Sequence, residues 1–71
     1  MTISERIAYF RRKAGLSQRE LANLIGVDPS AVGHWERVGG SNPRDLERVV
    51  KVGLGLSMPE FYSLRRRREA A

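Results

Sequence analysis

Residues 16–37 read LSQRELANLIGVDPSAVGHWER, and the fold turns on how this stretch is punctuated. Ser17 and Glu20 stand at the spacing of a capping box, in which a hydroxyl and a carboxylate close off free amides at a helix start. Leu21, Ala22, Leu24 and Ile25 follow at helical spacing and predict one buried stripe. Gly26 supplies the residue type that ends a helix in a left-handed turn. Asp28 is a good N-cap and Pro29 suits the first helical position. A further helix is expected from there to about Arg37, with Gly39-Gly40 ending it. Two helices joined by a short, Gly-containing turn form a helix-turn-helix unit.

The rest of the chain carries the same punctuation. Thr2 and Glu5 fit a capping box, Ile3, Ile7, Phe10 and Ala14 make the apolar stripe, and Gly15 stops that helix. Asn42 and Pro43 predict the start of a fourth helix, with Leu46, Val49, Val50 and Gly53 on its inner side. Ser57 and Glu60 open a fifth, ahead of Phe61, Tyr62 and Leu64. No segment alternates with a period of two and none repeats. The expected fold is all-α: a compact bundle of five short helices over residues 1–64, followed by a basic tail, 65–71.

Composition narrows the function. With 71 residues and no cysteine, the chain is one small domain with neither a disulfide framework nor a thiolate metal site. The net charge is +5. Four arginines and one glutamate place +3 of it in the tail, leaving +2 on the remainder. A basic balance favours an anionic partner such as nucleic acid. No apolar run approaches the ~18 residues that span a membrane, so a cytoplasmic protein is expected, without membrane contact. Catalysis finds little support: there is one histidine, no serine in a nucleophile elbow and no Gly-rich phosphate loop. No metal, cofactor or small-molecule ligand is expected.

The third helix is the informative one. Val32 and Trp35 should face the core, flanked by Ala31 and Val38. Ser30, Gly33, His34 and Arg37 then share the opposite face, a stripe of donors and acceptors with one cation and no acid. Glycine inside a helix costs roughly 1 kcal/mol relative to alanine. Small residues there suit close approach to the floor of the DNA major groove. An ordinary solvated face with a tolerated glycine is the other reading of the pattern.

Gln18 with Glu20-Leu21-Ala22, then Gly26-Val27, then Val32, Trp35 and Glu36, makes residues 16–37 resemble the lambda repressor/Cro-like helix-turn-helix family. The resemblance covers about residues 3–57. It implies that Gln18 binds a DNA phosphate, helped by Ser17 and Arg19. It implies base reading at Pro29, Ser30, Gly33 and His34, with Arg37 beside them. Arg44, with Asn42 just before it, matches a region that approaches the backbone or minor groove. Arg11 and Glu36 match a buried ion pair between the first and third helices.

Three features depart from the family pattern. Pro29 stands where glutamine is common, Gly33 has no side chain, and the loop VGGSN at 38–42 lacks lysine or arginine. The resemblance implies a transcriptional regulator, a repressor that blocks polymerase from a near-palindromic operator. It would act as a homodimer, with recognition helices about 34–36 Å apart. Phe61, Tyr62 and Leu64 exceed what a last helix needs for packing and are expected to help join the subunits. The alternative function is a protein-interaction module that kept the fold without specific DNA binding.

Overall fold

The computed structural model describes residues 1–37 and 40–63. Val38, Gly39, Leu64 and the tail 65–71 lie outside the described residues, and with them the expectations placed on those positions. The described residues form five helices and no strand: α1 (Ile3–Lys13), α2 (Gln18–Ile25), α3 (Pro29–Glu36), α4 (Leu46–Arg48) and α5 (Met58–Tyr62). Helix α4 runs straight into a π-helical stretch, Val49–Gly53. There the Leu54 N–H donates to the Val49 carbonyl at 3.0 Å.

The three capping boxes form as the spacing predicts. Thr2 pairs with Glu5, Ser17 with Glu20 and Ser57 with Glu60, each by both reciprocal bonds. Gly26 ends α2 at φ 74°, a left-handed conformation that glycine adopts without steric cost. Two other start signals work differently. Asp28 has the backbone of an N-cap, but its side chain caps no amide; it accepts the Ser30 hydroxyl instead. Asn42-Pro43 does not open α4. Pro43 is buried and Arg44-Asp45 form a turn, and Asp45 is the N-cap, accepting the Arg48 N–H at 3.1 Å. An Asp three residues before the amide it binds satisfies the same need.

Ile7, Leu21, Ala22, Val32, Val50 and Phe61 make the core, all without solvent exposure. Each large apolar side chain so covered contributes roughly 1.5–3 kcal/mol. Trp35 is half-buried against this cluster, as are Phe10, Leu16 and Leu46. The stripe predicted on α2 is one residue too wide: Leu24 is 51% exposed. Phe61 is wholly taken up by the monomer core, with its ring 5.9 Å from that of Phe10, so it offers no surface to a second subunit. Tyr62 stays half-exposed, under the Arg6 guanidinium.

Arginines fasten the helices where sequence periodicity is silent. Arg6 donates to the Phe61 carbonyl at 2.9 Å, tying α1 to α5. Arg48 donates to the Ile25 carbonyl at 3.1 Å, tying α4 to the end of α2. The strongest tie is between α1 and α3. Arg11 Nε and its second terminal nitrogen reach the two oxygens of Glu36 at 2.6 and 3.0 Å. A third donor of Arg11 holds the Leu16 carbonyl at 2.8 Å. The pair is almost covered, with side chains 11% and 7% exposed.

Burial alone would raise the Glu36 carboxyl. Hydrogen bonds from Arg11 and Gln18, with the charges of Arg11 and Arg12, outweigh it and hold the group below its ordinary 4.5. The bond to Glu36 likewise raises Arg11, against the opposing effect of burial.

Two consequences can be measured. Because the folded state depresses the Glu36 value, its stabilisation is complete above 4.5, the ordinary value, and is lost as pH falls through the folded value. Glu36→Gln should remove that acid limb from denaturation midpoints. At neutral pH it should cost on the order of 3–5 kcal/mol, since Arg11 is left unpaired. An acid limb identical to that of the parent would rule this out. The second consequence concerns Gly53, where an added Cβ would lie 2.5 Å from Leu21 Cδ1 and 3.0 Å from Ile25 Cγ2. Gly53→Ala should destabilise by about 1–3 kcal/mol through overpacking. On an open helix the same change would stabilise, so the sign of the measured shift decides.

Candidate nucleic-acid interface

Helix α3 is held from two sides. Val32 anchors it in the core, and Glu36 fixes it to α1 through Arg11. Ser30, His34 and Arg37 are then exposed, Gly33 and Pro29 half-exposed. The stripe expected from the spacing is the face that packing leaves free.

Gln18 joins this face from α2. Its amide nitrogen donates to Glu36 Oε1 at 3.1 Å, which lays the side chain along α3. Gln18 Oε1 lies 3.5 Å from where a Cβ on Gly33 would stand. That is ordinary contact, so nothing inside the described residues requires glycine at position 33. Ser17 lies next to Gln18, its oxygen taken by the Glu20 N–H at 3.0 Å, which leaves the hydroxyl proton for an acceptor outside. Arg19, Arg37, Asn42 and Arg44 are exposed, and none makes a side-chain hydrogen bond or ion pair with another described residue.

The polar groups of α3 are partly committed. Ser30 donates to the Asp28 carboxylate, so its oxygen is turned toward the helix start and remains an acceptor. His34 Nε2 accepts the Ser41 N–H at 3.3 Å. The site therefore brings Gln18 and Gly33 together, and sets Ser30 and His34 along α3, with Arg37 just past its end as the C-cap. Charged-group donors on this scale suit a polyanion with hydrogen-bonding edges. Among the described residues no cluster of His, Asp or Glu could hold a metal ion, and no helix is long and apolar enough to cross a membrane.

Two contacts were not readable beforehand. The sequence gives Gln18 and Glu36 no visible link, and only folding shows that one carboxylate serves both Arg11 and Gln18. The Ser41–His34 bond arises where the chain turns back after α3, and loop sequence carries no periodicity that would place it.

Comparison with known proteins agrees with this fold. The restriction-modification controller protein C.Esp1396I, wild type, superposes with a TM-score of 0.73 at 23% identity, over 84% of this chain and 79% of that one; this likeness is one of fold. A point mutant of the same controller gives 0.73 at 25% identity, over 84% and 78%. A chain of the SinR protein/SinI protein complex gives 0.72 at 28% identity, over 99% of this chain and 67% of that one. No curated protein matches significantly. Residues 7–52 match the helix-turn-helix family HTH_3. With α2 and α3 forming the unit for which that family is named, this chain belongs to it, a family of DNA-binding transcription regulators rather than enzymes.

Proposed function

We propose that this regulator is a cytoplasmic repressor that binds a near-palindromic operator as a homodimer, with α3 in the major groove. The observation that carries the reading is the free face of α3: small and donor-bearing, opposite fully buried Val32, with Gln18 held alongside. In this reading Ser30 and His34 meet base edges, and Pro29 and Gly33 let the helix lie close. Ser17, Gln18, Arg19, Arg37, Asn42 and Arg44 meet phosphates. Tyr62 contributes to the subunit contact. The restriction-modification controller protein, of similar fold, and membership of the helix-turn-helix family support the same use here.

The deciding experiment is selection of bound sequences from random duplexes, followed by titration at several salt concentrations. Absence of binding even at low salt would instead favour a protein-interaction module.

Two variants divide grip from approach. Arg44→Ala should weaken specific and nonspecific binding alike. It should lower the slope of log affinity against log salt by about one unit, since one fewer phosphate is neutralised. A change in which bases are preferred would contradict the assignment. Gly33→Ala should leave stability unchanged or raise it by up to roughly 1 kcal/mol, because the new methyl meets only Gln18 at 3.5 Å. Operator affinity should nevertheless fall. Affinity equal to the parent's would mean that no surface lies against position 33.

A further inference from the structure

The chain has one histidine, and it stands on the free face of α3. Its Nε2 accepts the backbone N–H of Ser41 at 3.3 Å. A backbone N–H can only donate, so Nε2 must present a lone pair. In the neutral ring the proton then sits on Nδ1. An unconstrained neutral imidazole prefers the opposite tautomer, so the loop sets this ring against its own tendency. The loop is itself pinned: the Gly40 N–H donates to the Arg37 carbonyl at 2.8 Å. The approach is so close that a Cβ on Gly40 would fall 1.9 Å from the His34 carbonyl oxygen.

We propose that the Ser41 N–H fixes His34 as an Nδ1–H donor, so that α3 reads guanine at that position and rejects cytosine. The inference rests on the DNA-binding reading above and names the base class it implies. In the major groove guanine offers two adjacent acceptors, N7 and O6. Adenine offers one beside its own amino donor, and thymine offers one beside a methyl. Cytosine presents only an amino donor, which would face the Nδ1–H donor to donor. Had Nδ1 carried the lone pair, the order would reverse and cytosine would be accepted. His34 is the reading residue; Ser41 is a positioning residue that acts through it.

The tautomer can be measured on the free protein. In mildly alkaline buffer, nitrogen NMR of the single histidine should show Nδ1 protonated and Nε2 bare. The opposite pattern overturns the proposal. Ser41→Pro removes the N–H and should shift the ring toward Nε2–H; an unchanged pattern in a folded variant also overturns it.

The base choice is tested on selected duplexes. The position whose preference disappears in His34→Ala should carry guanine. Replacing that base with 7-deazaguanine should weaken binding roughly tenfold. His34→Asn and His34→Gln, whose amides carry an acceptor beside the donor, should lose the guanine preference. Any base other than guanine at that position, or indifference to the deaza base, overturns the inference while leaving DNA binding intact. A protein that selects no sequence at all overturns the DNA-binding reading as well.

Discussion

Glu36 accepts from Arg11 through both of its oxygens and from Gln18 through one of them. Nearly everything placed on α3 depends on that carboxylate. It ends the helix, binds it to α1 and draws in the first residue of α2. Three helices thus share one small polar junction, while Ile7, Leu21 and Val32 join the same helices through the core. A small domain has little apolar area to spare. A covered, bidentate ion pair adds angular definition that nonpolar contact alone supplies poorly. The pair also neutralises the acid within the protein, so α3 does not bring an unpaired carboxylate toward a polyanion.

The exposed stripe on α3 gains its meaning from what lies behind it. With Val32 and Trp35 turned inward, Ser30, His34 and Arg37 have nowhere to go but outward. Gly33 is the residue that internal packing does not explain, because a methyl group there would fit. Nothing among the described residues requires its smallness, whereas Leu21 and Ile25 require that of Gly53. Contact geometry, not residue type, separates the two positions.

The sequence made the helices legible because their signals are local. Capping boxes at Thr2, Ser17 and Ser57 and the left-handed Gly26 follow from spacing of a few residues, and all form. Asn42-Pro43 misled because Pro43 is drawn into the interior, and Asp45 was free to cap in its place. Leu24 misled because an apolar residue on the edge of a stripe can face water at modest cost. Phe61 looked surplus to its short helix only because its partners, Phe10 and the rest of the core, are distant in sequence. The arginine-to-carbonyl ties of Arg6 and Arg48 also join residues far apart in sequence. No pattern in the chain announces them, since a carbonyl acceptor is present at every residue. The candidate site was legible as a face, through helical periodicity, but not as a set of bonds. That Gln18 leans on Glu36 and His34 on Ser41 required the fold.

Gly53 touches α2 from behind, against Leu21 and Ile25. Its missing methyl therefore acts as a spacer gauge. It meters the gap between α2 and the π-turned stretch, and through Arg48 and Ile25 the gap between α2 and α4. Arg44 sits in the turn just before α4, so its offset from Gln18 is set by the same gauge. A bulkier residue at position 53 that still allowed folding would not simply loosen the core. It would change the spacing of Gln18 and Arg44, two surface points that the proposed function has meeting a rigid repeating lattice of phosphates together. The spacing of the outer face is thus set by an interior contact.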